Sequence, residues 1–266
     1  MATDVSAPPP TKAVTAADLG IDRDFVVKMA QIPVLAVLWA VAAGFATNLF
    51  AQLGWLKVIT DGEQAFVFNL GPVAVICVGM LLAAFIDGYA FKVPNWVTLS
   101  LVVSGWYLGL ANDLGWNLAA TAPNGGGGLF AAVFCTALGF CLLFPALFIG
   151  GMGQGDVKMT MGFGSWLGFY FGRFDGSWNL FWSFAIGVLV GGVFAIVMMI
   201  LRRKGGLNWS NTRAIVTDLQ VMAVTGVTAG KQRAATRRPE WWRLPYGVPL
   251  CAGFLGYLWY AFFVLN

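Results

Sequence analysis

The sequence contains no histidine among its 266 residues. This excludes every Ser/His and Cys/His mechanism and removes the commonest metal ligand of proteins. Cysteine is also scarce: the four residues all lie in apolar stretches and form no C-x-x-C pair. We therefore expect no metal site and no disulfide framework. Any hydrolytic chemistry must depend on carboxylates, lysine, tyrosine, serine or threonine.

Charged residues are also scarce in this sequence. Charged residues make up 11% of the chain, against about 25% in an average soluble domain. Hydrophobic residues make up 59%, and the mean hydropathy is +0.75. These values indicate an integral membrane protein. The apolar stretches are continuous and do not alternate with polar residues, which favours helices over a β-barrel.

Seven apolar segments follow one another, and most have the roughly 20 residues that cross about 30 Å of hydrocarbon. They cover 32–53, 65–86, 96–112, 129–150, 157–172, 179–201 and 247–265. The sequence therefore predicts an all-α, polytopic membrane protein with about seven transmembrane helices. Residues 1–31 are expected to form a cytoplasmic tail, and 32–266 one helical membrane domain.

Basic residues give the expected orientation, because cytoplasmic loops are enriched in lysine and arginine. With seven spans and a cytoplasmic amino terminus, only Lys57 and Arg173 lie outside. The other 14 of the 16 basic residues are cytoplasmic: Lys12, Arg23, Lys28, Lys92, Lys158, Arg202, Arg203, Lys204, Arg213, Lys231, Arg233, Arg237, Arg238 and Arg243. The loop 202–246 holds nine of them. We interpret this loop as a topology signal that contacts anionic lipid headgroups, and not as a nucleic-acid site.

Two acids lie against membrane-length apolar sequence. Asp87 follows the run 80–86 directly, and Asp156 follows Gly151-Met152-Gly153-Gln154-Gly155. A carboxyl group at a helix centre in the bilayer costs about 2.5–3.5 kcal/mol, so it needs a partner, a cavity or a task. Under the expected topology both acids lie at cytoplasmic helix ends. Two plainer interpretations stay open: Asp87 ends a helix near headgroups, and Asp156 interacts with a helix dipole.

The residues around these acids also have two interpretations each. Gly153 and Gly155 expose bare backbone, which either admits an extended peptide or forms a flexible turn. Asn95 is predicted to cap the helix that begins at Trp96. Lys158 either biases the charge of the acids or contacts headgroups, and the topology rule favours the headgroups.

Glycines at four-residue spacing mark two of the segments. Gly164, Gly168 and Gly172 lie in the fifth segment, and Gly187 and Gly191 lie in the sixth. Small residues at this spacing let helices approach closely in lipid. We interpret them as packing faces, although helices loosened to admit a substrate would show the same pattern.

The combination of these motifs is more specific than any one of them. Asp87, Pro94-Asn95 seven and eight residues later, and Gly-Met-Gly-Gln-Gly-Asp-Val-Lys at 151–158 resemble the prepilin peptidases (type IV leader peptidases). These are polytopic aspartic proteases with a GxGD motif. The segments 162–168 and 244–249 also resemble the family, and the resemblance covers roughly 65–265. It looks closest to the short enzymes of tight-adherence (Flp-type) pilus systems.

The resemblance implies a function and a set of site residues. Asp87 and Asp156 would be the catalytic pair, supported by Gly153, Gly155, Lys158, Pro94 and Asn95. The protein would be an aspartic endopeptidase in the inner membrane of a bacterium, working without a cofactor. It would remove the short basic leader of a prepilin or pseudopilin precursor at the cytoplasmic face. The sequence departs from the family in having only Lys92 charged within 88–93 and in lacking the paired-cysteine loop of bifunctional, N-methylating members.

Three other functions stay open. A presenilin-like or preflagellin peptidase would share the GxGD motif but not Asp87 with Pro94-Asn95. A transporter or channel could use the two acids to carry protons or cations, although the sequence shows no internal repeat and the two acidic motifs differ. A scaffold protein with an inactive site is the third.

Overall fold

The computed structural model describes residues 23–61, 64–90, 93–123, 126–149, 153–201 and 246–263. The predicted tail before residue 23 and the basic loop up to residue 245 lie outside these ranges. So do Lys92 and Gly151.

Helices dominate the described residues, as the sequence predicts. Seven helices correspond to the seven apolar segments, and a two-stranded hairpin lies between the first two. In chain order the elements are α1 (Arg23–Gln52), β1 (Leu56–Asp61), β2 (Gln64–Asn69), α2 (Gly71–Ala90), α3 (Asn95–Asp113), α4 (Leu129–Ile149), α5 (Gln154–Phe171), α6 (Arg173–Leu201) and α7 (Gly247–Phe263).

The hairpin corrects the predicted start of the second apolar segment. The sequence analysis counted 65–70 as the start of a membrane helix, but β2 pairs there with β1 in antiparallel register, with Lys57 opposite Phe68. Both strands are rich in the β-branched and aromatic residues that favour strands. Phe68 also packs edge-on against Phe262, with 5.9 Å between the ring centroids. This contact ties the hairpin to α7.

The described part of the predicted tail, 23–31, is helical. Helix α1 begins at Arg23, so 23–31 extend the first helix toward the amino terminus. The boundary at 31/32 was placed where the apolar run begins, and a helix can continue past that point into more polar sequence.

Among the described residues, four helices are long and apolar enough to cross a membrane: Val26–Gln52, Gly71–Ala90, Leu129–Phe148 and Arg173–Val197. These support an integral membrane protein. The predicted count of seven spans is not confirmed. Helices α3 and α5 are less apolar because each carries polar side chains toward the other, and α7 is apolar but has only 17 residues.

Helix α5 lies at the centre of the bundle and packs against α2, α3, α4, α6 and α7. Its Trp166 is buried, and the indole N–H donates to the carbonyl of Leu101 and to the Ser104 hydroxyl, both at 3.0 Å. Ser165 donates to the carbonyl of Gly162 at 2.8 Å. These contacts satisfy polar groups inside the bundle, where lipid offers no partner. In contrast, α1 and α6 expose many large apolar side chains, as expected of surfaces that face hydrocarbon.

Glycine packing is confirmed at the centre of this bundle. A Cβ atom at Gly164 would lie 2.4 Å from the carbonyl oxygen of Cys135, and one at Gly168 would lie 2.3 Å from that of Ala131. Helices α4 and α5 therefore touch backbone to backbone. Gly172 has a different role: its φ of 84° ends α5, and α6 begins at the next residue.

Hydrogen bonds tie together the helix ends opposite Asp87 and Asp156. Asn69 donates from its side chain to the carbonyl of Thr47 at 2.8 Å, and the Tyr170 hydroxyl donates to the carbonyl of Asn69 at 2.8 Å. Lys57 and Arg173 lie at this same end, over the rings of Phe263 and Phe130 respectively. The two acids therefore lie at the end of the bundle away from these two basic residues.

Candidate active site

Asp87 lies in the last turn of α2 and is only 6% exposed. Its Oδ2 atom accepts a hydrogen bond of 2.9 Å from the backbone N–H of Gly247. Gly247 is the first residue of α7, so this N–H has no partner within its own helix. The N-terminal end of a helix also favours a negative charge beside it. Asp87 is thus held by an element 160 residues away in the chain.

Asp156 lies in the first turn of α5 and is 5% exposed. Its Oδ2 atom accepts a longer hydrogen bond, 3.3 Å, from the backbone N–H of Gly153. This is one half of a capping box; the other half cannot form because glycine has no side chain. The carbonyl of Asp156 accepts from the Thr160 hydroxyl at 3.0 Å. Its position in the first turn is also compatible with the plainer interpretation of Asp156, an interaction with the helix dipole.

The two carboxylates share one arrangement. Each is buried, each lies near a helix N-terminus, and each accepts a glycine N–H through Oδ2. Among the described residues, none donates a hydrogen bond to the Oδ1 atom of either acid. Within the described part of the chain, each carboxyl group therefore has one oxygen that a water molecule, a substrate or the other acid could contact.

The electrostatics link these groups. Asp156 lies outside the four candidate spans, and burial raises its pKa to about 7. The negative charge of Asp87 adds to this rise, whereas the N–H of Gly153 opposes it. Burial also raises the pKa of Tyr246, and the charge of Asp156 raises it further. Helix α2, which carries Asp87, packs against both α5 and α7.

The predicted cap at Asn95 is wrong. Helix α3 begins at Asn95 itself, Pro94 occupies the N-cap position, and no side chain caps the helix. The Asn95 side chain instead accepts a hydrogen bond of 2.8 Å from the Lys158 ammonium group. Lys158 therefore ties the start of α5 to the start of α3. This contact differs from the headgroup contact that the topology rule favours for Lys158.

The two motif glycines have different surroundings. A Cβ atom at Gly155 would lie 3.2 Å from both Cβ and Cγ2 of the buried Val93. Gly155 therefore lets the 93–95 segment pass close to Asp156. Gly153 is exposed, and a Cβ atom there would come no closer than 3.4 Å to Asp156 Oδ2. Gly153 consequently leaves open backbone beside the acid.

Sequence reasoning missed the roles of Tyr246 and Gly247. Both belong to the 244–249 segment, which entered only as part of a family resemblance with no role assigned. Nothing in the sequence connects the start of α7 with Asp87. The sequence feature that could have drawn attention to them is the Pro-Tyr-Gly run at 245–247, at the start of an apolar segment.

Within the described ranges, no three His, Cys, Asp or Glu side chains form a group that could hold a metal ion. At the site itself, the charge of Asp87 acts on Asp156, and the charge of Asp156 acts on the Tyr246 phenol.

No curated protein and no solved structure matches the chain. Residues 74–201 match a model of the type IV leader peptidase family. The matched segment carries both Asp87 and Asp156 and ends before α7. It covers slightly less than half of the 266 residues. The part of the chain that supplies the two buried acids is therefore similar to the type IV leader peptidases.

Proposed function

We propose that the chain is a membrane-embedded aspartic endopeptidase of the leader peptidase type, with Asp87 and Asp156 as its catalytic pair. One observation carries the proposal: α2 and α5 bury two carboxyls within the segment that is similar to leader peptidases, and the charge of Asp87 raises the pKa of Asp156. Burying a pair of acids in an apolar bundle costs free energy. Such a pair is a known catalytic arrangement for acid–base hydrolysis.

The mechanism follows from the shared charge. Two nearby buried carboxyls do not both ionise easily, so the pair holds one proton near neutrality. The ionised carboxyl takes a proton from a water molecule, which attacks the scissile carbonyl carbon. The protonated carboxyl donates its proton to the carbonyl oxygen. The other carboxyl then passes the proton it took from water to the leaving nitrogen, and a hydroxyl of the tetrahedral intermediate returns a proton to the first carboxyl as the C–N bond breaks. We treat the pair as one titrating unit and assign neither role to one residue.

The substrate in this proposal is a prepilin-like or pseudopilin precursor with a short basic leader before an apolar helix. Its helix would lie in the bilayer beside the bundle, with the cleavage site near the helix end that carries the acids. The exposed Gly153 and the side-chain-free Gly155 give an extended peptide room to pass Asp156. The motif resemblance favours an enzyme of the tight-adherence type.

Co-expression with a precursor pilin tests the proposal directly. The chain should convert the precursor to a smaller product, and mass spectrometry of that product should find the new amino terminus just before the apolar helix. A precursor from which the basic leader has been deleted serves as the control and should keep its size. If the precursor stays intact beside stably inserted protein, the proposed activity is absent.

The orientation in this proposal places seven spans in the membrane, with both acids at the cytoplasmic face. The motive is the split of 14 basic residues against two, together with Lys57 and Arg173 at the opposite end of the bundle. Reporter fusions after Asn124 and Asp175 should report the outer side, and fusions within 205–240 should report the cytoplasm. A cytoplasmic signal after Asp175 would invert the bundle and move the acids to the other face.

Cleavage should decline as the pH rises above about 7. Because the pKa of Asp156 is raised to about 7, the pair keeps its shared proton below this pH and loses it above. The doubly ionised pair has no acid to donate to the carbonyl oxygen. Initial cleavage rates in detergent between about pH 5 and 9 measure this decline. Rates that continue to climb through the alkaline range would show that the active form does not hold a proton.

A further inference from the structure

We infer that Gly247 is a positioning residue for Asp87. Its backbone N–H orients the Asp87 carboxylate, and the absence of a side chain at 247 leaves room for that carboxylate. The inference rests on the proposed function and adds α7 to the site. It also extends the site beyond residues 74–201, where the family similarity ends.

The contact between the two residues is short and buried on both sides. The N–H of Gly247 lies 2.9 Å from Asp87 Oδ2, and both residues are buried. A hydrogen bond to an ionised acceptor is roughly twice as strong as a neutral one. It is the only hydrogen bond to the Asp87 carboxylate from the described residues. Among the described residues, this one donor therefore sets the direction of the Asp87 carboxylate.

The need for glycine at this position comes from Asp87 and not from the backbone. Among the described glycines, only Gly54, Gly115 and Gly172 have a positive φ, so the conformation of Gly247 is one that alanine adopts freely. A Cβ atom at 247, however, would lie 2.7 Å from Asp87 Oδ2 and 3.1 Å from its Cγ and Cβ. The carboxylate occupies the space that a side chain would fill.

Helix α7 cannot retreat to relieve such a collision. A Cβ atom at Gly253 would lie 2.1 Å from the Cα atom of Gly187, so α7 already touches the backbone of α6. At the next residue, Phe254 stacks on Phe163 of α5, with 4.4 Å between ring centroids. The Asp87 carboxylate is the mobile end of a side chain, so it is the group that would move. The fold would tolerate the change, whereas the reacting group would be displaced.

The test compares Gly247→Ala with Gly256→Ala on the same helix. A Cβ atom at Gly256 would meet nothing within 4 Å, so this matched control should cleave at the parent rate. A displacement of about 1 Å at a reacting group costs on the order of 100-fold in rate, and we expect that loss in kcat for Gly247→Ala with KM nearly unchanged. Its Tm in detergent should fall by no more than roughly 4 °C. Parent-like kcat in Gly247→Ala would overturn the inference.

A second measurement needs no catalysis. In an Asp87→Ala background the carboxylate is gone, so adding Gly247→Ala should lower neither the Tm nor the amount in the membrane. If the small Tm loss caused by Gly247→Ala in the parent disappears in that background, the collision with Asp87 is supported. If the same loss appears in both backgrounds, Gly247 serves packing and the inference is wrong. A parent that cleaves no precursor would defeat the proposed function while leaving this comparison of stabilities decisive for the contact.

Discussion

Replacing either Asp87 or Asp156 by asparagine is expected to reduce cleavage of a co-expressed precursor by about 1000-fold or more. Asparagine keeps the size of the side chain and can still accept the glycine N–H through its amide oxygen. It can neither ionise nor pass on a proton, and each carboxyl is needed in the pair. Because such a pair fails as a unit, the double variant should be little worse than either single one.

The measurement is the size shift of the precursor, with the amount of each variant in the membrane followed by blot. Asp175→Asn is the matched control, since Asp175 is exposed in the first turn of α6 at the far end of the bundle. It should cleave like the parent. An asparagine variant at 87 or 156 that inserts normally and still cuts near the parent rate would end the two-aspartate mechanism.

That result would favour the transporter hypothesis. Buried acids inside a helical bundle also carry protons and cations in transporters. A proton-coupled uptake assay in liposomes would then separate the two functions, because a transporter should lose uptake in the same asparagine variants. The similarity to leader peptidases over the segment with both acids is the reason for placing the protease first.

Gly168→Val is expected to prevent the protein from accumulating in the membrane. The new side chain would enter the backbone of α4, since even its Cβ atom would lie 2.3 Å from the carbonyl oxygen of Ala131 and 3.0 Å from the Cα atom of Ala132. Backbone cannot rotate aside as a side chain does. Overpacking of a filled core usually costs about 1–3 kcal/mol, and a collision with backbone should lie at or above about 3 kcal/mol.

Gly192→Val provides the control for this prediction. A Cβ atom at Gly192 would meet nothing within 4 Å, and the residue is exposed on α6. Both substitutions add the same atoms to a helix, so only the surroundings differ. Membrane amounts by blot and Tm in detergent measure the outcome. Equal amounts of the two variants would show that α4 and α5 do not meet at Gly168 as described.

The sequence predicts much of this molecule because hydrocarbon imposes simple rules. The seven helices follow from continuous apolar runs, and the two acids are prominent because charge is rare there. The hairpin was missed because its second strand adjoins the run that forms α2, so apolarity alone could not separate them. The β-branched and aromatic residues of β1 and β2 favour strands, but a search for apolar length alone does not use that signal.

The site shows a different limit. Asn95 was assigned a local task, capping its own helix, because a local partner is the only one a sequence pattern can offer. Its partner in the structure is Lys158, 63 residues away. The contact between Gly247 and Asp87 spans still more of the chain. Contacts of this kind are set by how helices pack, and a single sequence does not specify that packing.

The single-residue step from α5 to α6 bears on how the protein is made. Most residues of α5 are buried against other helices. Helix α5 is not one of the four described helices that are long and apolar enough to span a membrane. A segment of this kind partitions poorly into lipid when it leaves the ribosome by itself. The sharp reversal at Gly172 brings the strongly apolar α6 directly behind it. The two helices can therefore enter the bilayer as one hairpin, with α6 supplying the hydrophobicity that α5 lacks.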